Sequence, residues 1–173
     1  TIELGRRATA VRGGRVDTDH GPLDASAVVV ACEGPAAADL LGLPPVGSKA
    51  AGAVWFAADA PPADDKLVFL DGEHGPVLNA AIMSNVAPGY APAGKAVVVA
   101  ALPGVCDGEL EQLARTTLRR WWGSQVDGWE TVAMHRIRHG QPAQLPPFAP
   151  KRRVALGEGL FVCGDHRDTA SIQ

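Results

Sequence analysis

Gly157-Glu158-Gly159-Leu160-Phe161-Val162-Cys163-Gly164-Asp165-His166-Arg167-Asp168 is the stretch on which the reading turns. Leu160 to Cys163 is a short apolar run, the pattern of a strand covered on both faces. A strand ending in Gly-Asp sets one carboxylate at the C-terminal edge of a sheet, where open α/β sheets meet their ligands and where a carboxylate can bind sugar hydroxyls. Thr169-Ala170-Ser171-Ile172 would then enter a helix whose N-terminus faces phosphates. Two other readings compete for the same residues. Cys163, His166 and Asp168 could be nucleophile, base and orienter, although real triads assemble from distant positions. His166 with the two aspartates could be hard metal ligands, although no matching cluster lies upstream. The sheet-edge carboxylate fits better than either.

Working outward, Ala27-Val28-Val29-Val30-Ala31 is a second continuous apolar run and reads as another strand covered on both faces. Gly34-Pro35 opens a short helix over 36–41, which Gly42 closes. Toward the N-terminus, residues 2–11 read as extended. Gly13-Gly14 forms a turn before a return strand from Arg15, and a second turn falls near Gly21-Pro22. In the middle, 52–58 carries Trp55 and Phe56 on one strand, 66–70 and 77–83 flank the turn 71–75 as a hairpin, and 96–102 is a further strand.

The spacing predicts one long helix over 108–122. Asp107 is its expected N-cap, Glu109 sits in the first turn and Gly123 is the stop. Leu110, Leu113, Ala114, Thr117, Leu118 and Trp121 share a face at 3.6-residue spacing. Residues 129–138 read as a strand and Pro142, Pro146, Pro147 and Pro150 as an extended connector. The fold class expected is α+β: a mixed, mainly antiparallel sheet packed by a few helices.

Composition removes several classes. The chain has 173 residues, 16 Lys+Arg against 19 Asp+Glu, and a formal charge of -3. That balance argues against a general nucleic-acid binder. The 20 glycines and 14 prolines stay below the roughly 25–30% of low-complexity chains. No run approaches the ~18 apolar residues of a membrane span. Cys32, Cys106 and Cys163 are far apart with no CxxC pair, so they read as buried small residues in a reducing cytoplasm. No GxGxxG or GxxxxGK[ST] loop is present. His135 and His139 share a side of an extended segment but lie too far apart for one metal, and no metal site is expected. Gly5-Arg6-Arg7 reads as a solvated edge, and Trp121, Trp122 and Trp129 as core aromatics.

Leu160 to Asp165, followed by Ala170-Ser171-Ile172-Gln173, resembles the C-terminal flavin-binding stretch of the FAD-dependent amine oxidoreductases. Ala8-Thr9-Ala10-Val11 with Val16 resembles the strand whose valine main chain meets adenine. Residues 27–31 are similar to the strand that follows it, and Phe56-Ala57-Ala58 with 84–92 to the family's substrate domain. The likeness covers nearly the whole chain in order. It implies strands of an FAD-binding domain in 1–34, a substrate-binding domain in 35–153, and a return strand and helix start in 154–173. It implies that Asp165 bonds the ribityl chain, that Gly164 permits close backbone approach, and that Ser171 and Ile172 lie on the ribityl-phosphate side.

In the intact enzyme the flavin would accept a hydride from an amine or an apolar substrate, in a pocket lined by the central sheet, Trp55, Met83 and the long helix. The lysine that amine oxidases carry near the flavin would align with Ala51, two residues from Lys49. The N-terminal dinucleotide segment is not in this sequence, so the chain alone is expected to bind little FAD and to be inactive. It could pair as a homodimer through exposed surface. A non-catalytic ligand- or partner-binding module is the alternative.

Overall fold

The computed structural model describes residues 1–73, 75–104, 107–147, 149 and 151–170. The chain divides into two compact units, one made of Thr1–Ser48 with Gln141–Gln173 and the other of Lys49–Gly140.

In the first unit, β1 (Ala8–Arg12), β2 (Arg15–Thr18) and β3 (Gly21–Asp24) form an antiparallel meander. The expected turn at Gly21-Pro22 is instead the start of β3. The chain reverses one step earlier because the Thr18 hydroxyl donates to the Gly21 carbonyl at 2.6 Å and accepts from the His20 amide at 3.2 Å. Only β1 forms within the extended stretch 2–11.

β4 (Val28–Val30) follows, then α1 (Gly34–Leu41), which carries Pro35 in its first turn and ends at Gly42 in the left-handed region at φ 61°. After the second unit the chain returns as β10 (Ala155–Gly157) and β11 (Leu160–Val162), in a sheet ordered β10-β11-β4. β11 runs parallel to β4, with Leu160 opposite Val28 and Val162 opposite Val30. The Cys163 amide extends the ladder to the Val30 carbonyl at 2.9 Å. Val28, Val30, Ala37 and Val162 form the core, with Val11, Val16, Leu40 and Leu156 packed on it.

The two apolar runs are thus covered on one face only. Val29 is 61% and Phe161 37% exposed, because the period of two turns them away from this small core. Gly13 is required at the β1–β2 turn, since a Cβ there would run into the Glu158 carbonyl at the β10–β11 turn.

In the second unit β5 (Ser48–Ala58), β6 (Val68–Leu70), β7 (Asn79–Ile82), β8 (Ala96–Pro103) and β9 (Glu130–Pro142) form one sheet ordered β6-β7-β8-β5-β9. The hairpin expected around 71–75 is the antiparallel pair β6–β7, with Phe69 opposite Ala80. β5 and β8 pair antiparallel, Phe56 facing Val98 and Val54 facing Ala100. Their alternate residues Val54, Phe56, Val98, Ala100 and Leu102 are completely buried against Leu110, Ala114 and Leu118 of α3 (Leu110–Trp122). That is the helix face the 3.6-residue spacing selects.

The cap differs from expectation. Glu109, not Asp107, is the N-cap residue and makes no side-chain cap bond, while Gly123 ends the helix at φ 73°. Met83 closes no strand but starts the short helix α2 (Met83–Val86). A 3-10 turn, Gly123–Gly128, leads into β9, which continues to Pro142 rather than stopping near 138.

Candidate functional site

The C-terminal edge of the β4–β11 pair gathers the first unit's unusual chemistry. Gly164 leaves β11 at φ 141°, a backbone region that side chains other than hydrogen rarely occupy. The turn it makes sends Asp165 outward, its side chain 45% exposed, and His166 inward, its side chain 1% exposed. The imidazole lies in a slot between two glycines. A Cβ on Gly164 would stand 2.8 Å from His166 Nδ1, and a Cβ on Gly34, the first residue of α1, 3.1 Å from the His166 Cβ. The loops that follow β4 and β11 are therefore held together across one histidine ring.

That ring is buried, and among the described residues neither nitrogen has a hydrogen-bond partner. Its nearest carboxylate, Asp165 Oδ1, is 3.9 Å from Nδ1, beyond hydrogen-bond reach. Burial first, then the Arg167 charge, push its pKa below the usual histidine value against the upward pull of Asp165, with Arg152 adding to the lowering. The neutral imidazole is therefore the form present at pH 7. Beside it a cavity of about 20 Å³ is bounded by Gln144, Arg152, Asp165, His166 and Asp168, among other residues. Arg167 anchors the segment, donating through its guanidinium to the Arg153 carbonyl while its own carbonyl accepts from the Arg152 amide at 2.8 Å.

Val11 sits on β1, at the free edge of the meander. Arg12 and Arg15 close the two-residue turn, and Val11 pairs with Val16. By antiparallel alternation Val11 and Val16 are then a non-bonded pair, so the Val11 amide and carbonyl point to the open edge.

The structure brings Gly164 and Asp165 together at a sheet edge, with Val11 on another edge of the same unit. Ser171 and Ile172 lie outside the described residues, as does Cys106. Trp55 is on the β5 face away from α3, half-buried, abreast of Val99 and Ala81. The long helix therefore does not share a pocket wall with it as expected, because α3 packs on the opposite face with Val54 and Phe56. Met83, two residues on from Ala81, has already turned into α2. Cys32 and Cys163 are free and half-buried rather than buried. Cys32 packs on the first unit's core. Among the described residues no cluster of three or more His, Cys, Asp or Glu could hold a metal, and no helix is long and apolar enough to cross a membrane. Gly34 and Arg152 are the site residues sequence reasoning missed. Gly34 reads locally as a helix opener, and only the return of β11 beside β4 reveals its second task.

The residues present suit a hydroxyl-rich ligand on three observations. An exposed acceptor carboxylate stands at the edge of a parallel strand pair, the glycine beside it has a positive φ, and the buried nitrogens next to it lack partners among the described residues.

A family model described as flavin containing amine oxidoreductase matches residues 1–173. Curated proteins give no match. Among solved structures, the chain is similar to a candidate protoporphyrinogen oxidase from Exiguobacterium sp. 255-15, at 17% identity and a TM-score of 0.73, covering 98% of this chain and 44% of that one. A reduced UDP-galactopyranose mutase matches at 12% identity and a TM-score of 0.64, covering 85% of this chain and 36% of the other. Glycine oxidase from Geobacillus kaustophilus matches at 20% identity and a TM-score of 0.57, covering 91% and 41%. At these identities the likeness is one of fold. The chain spans less than half the length of each of these three structures.

Proposed function

The chain belongs to the flavin containing amine oxidoreductase family, and on that premise we propose that it is part of an FAD-dependent oxidoreductase. Bound FAD would supply the redox step by accepting a hydride from an amine or an apolar substrate. The observation that carries the reading is the placement of Gly164-Asp165 at the C-terminal edge of the β4–β11 pair, where such sheets take their ligands. In this reading the Asp165 carboxylate accepts from ribityl hydroxyls, and Gly164 lets the backbone come close. The free-edge amide and carbonyl of Val11 meet adenine, and Ser171 and Ile172 lie on the ribityl-phosphate side.

We assign the unit Thr1–Ser48 with Gln141–Gln173 to the flavin-binding part and the unit Lys49–Gly140 to the substrate part, because a boundary at 34/35 would cut α1, whose Ala37 lies in the core with Val28, Val30 and Val162. The face of the second unit's sheet away from α3 carries Trp55, Val97 and Val99, all half-buried. It is apolar, and it suits the wall of a pocket for an apolar or amine substrate better than one for a highly charged substrate. Met83 lies at the end of β7, beside that wall. The separated cysteines suit a reducing cytoplasm. The chain alone would bind little FAD, would be inactive, and could form homodimers.

The test is to purify the longer flavoprotein and this chain side by side. The longer protein should carry FAD stoichiometrically and bleach anaerobically with an amine or apolar substrate. A colourless longer protein contradicts the reading, and a stoichiometrically yellow isolated chain contradicts the division of labour. Sedimentation of the isolated chain tests pairing, against which a monomer at high concentration would count.

A further inference from the structure

The buried imidazole of His166 is the group in the molecule whose chemistry is least accounted for. Buried polar atoms are almost always hydrogen-bonded, and leaving one without a partner carries the full cost of its lost hydration. Both ring nitrogens lack a partner among the described residues, yet the ring is held in place by Gly34 and Gly164. A ring needed only to fill that slot would be better apolar. The adjoining cavity of about 20 Å³ is enough for one water, and its lining includes Asp165, Asp168 and Gln144. A neutral histidine can donate from one nitrogen and accept at the other, and so can fix a water's orientation where an apolar side chain cannot.

Resting on the flavin reading above, we infer that His166 is a positioning residue of the flavin site, which through a water held in the cleft aims the Asp165 carboxylate at the ribityl chain. The two-glycine slot keeps the loops after β4 and β11 in register. The ring then carries the order of that junction to the exposed Asp165 carboxylate at the sheet edge. The lowered pKa supports this role, since a charged ring there would lie near Arg167 and Arg152 with no acceptor within bonding reach.

The test uses the full-length flavoprotein with FAD titrated into the apoprotein, comparing wild type with His166→Leu, His166→Asn and His166→Gln. Asparagine can place its amide near the position of Nδ1 and glutamine near that of Nε2. Leucine should weaken FAD binding by about ten- to a hundredfold, the range for losing hydrogen bonds to a buried group. One of the two amides should restore binding to within a few-fold. Nitrogen-15 spectra of the wild-type ring should show one neutral tautomer with hydrogen-bonded shifts, a readout independent of whether the leucine variant folds. FAD binding by the leucine variant equal to wild type, or averaged shifts of a free ring, overturns the role of His166 and leaves the flavin reading intact. A wild-type protein that takes up no FAD overturns the flavin reading itself, and the role of His166 with it.

Discussion

Arg115 is the side chain whose removal should hurt the second unit most for its size. From α3 it donates to the Val126 carbonyl at 2.6 Å, the Trp129 carbonyl at 2.7 Å and the Thr131 hydroxyl at 3.1 Å. It also pairs with Glu111 at 2.8 Å and lies 4.9 Å above the Phe56 ring. The 3-10 turn and the first residues of β9 thus hang on one guanidinium. Val126 is completely buried and Trp129 nearly so, so water reaches those carbonyls poorly. Bonds from a charged donor contribute about 1.5–3 kcal/mol each, and the cation–π contact about 0.5–2. The side chain is 22% exposed, and the Val126 carbonyl keeps a second donor in the Trp129 amide at 3.2 Å, so these do not simply add.

Arg115→Ala should therefore destabilise the unit by about 3 kcal/mol, near the upper range for single substitutions. Arg115→Lys should cost about 2 kcal/mol, because a point charge cannot serve several carbonyls at fixed angles. Tryptophan fluorescence in urea reads this directly, since Trp55, Trp121, Trp122 and Trp129 all lie in the second unit. With a slope of about 2 kcal/mol/M the alanine variant's midpoint should fall by roughly 1.5 M. A fall below about 0.5 M would refute the claim that Arg115 fixes the turn and β9. Equal losses in the alanine and lysine variants would refute the geometric part.

Two further outcomes follow from other parts of the structure. Gly164→Ala forces a Cβ into φ 141° and to within 2.8 Å of His166 Nδ1. It should cost about 1–3 kcal/mol and speed exchange of the Cys163 amide, and unchanged exchange would show that the turn is not strained. Asp71 accepts from the Glu73 amide at 2.9 Å and the Gly75 amide at 3.1 Å, and pairs with Arg120 at 3.0 Å. The Glu73 amide first, with Arg120 and the Gly75 amide behind it, lowers its pKa from 3.8 against a smaller upward effect of burial. The contribution of Asp71 is thus complete above about pH 4 and is lost as pH falls through the lower folded value. Urea midpoints of the wild type should drop more steeply below pH 4 than those of Asp71→Asn, and parallel curves would contradict this.

What the sequence makes legible is whatever a local pattern specifies. The alternation through Trp55 and Phe56, the spacing of Leu110, Ala114 and Leu118, and the glycines after α1 and α3 each act within a few residues, and the structure keeps them. The terminal Gly164-Asp165 is legible for the same reason. The far end of β9 is not, because a partner in distant sequence, β5, creates it, and β10 is not, because three residues ending in glycine carry no alternation to read. The burial of 27–31 and 160–163 is misread because an apolar run cannot say how many faces its sheet will have covered. His166 looks like a candidate base or ligand in isolation. Its buried slot exists only once Gly34, far upstream, lies across from Gly164.

The central claim is that the Asp165 carboxylate at the end of β11 holds a flavin nucleotide, and an FAD titration of the full-length apoprotein and its Asp165→Ala variant tests it most directly. A carboxylate that accepts from ribityl hydroxyls contributes about 1.5–3 kcal/mol per charged bond. Wild type should bind FAD stoichiometrically, and the variant should bind at least tenfold more weakly with its melting behaviour unchanged. Equal affinity for the two proteins would contradict the claim.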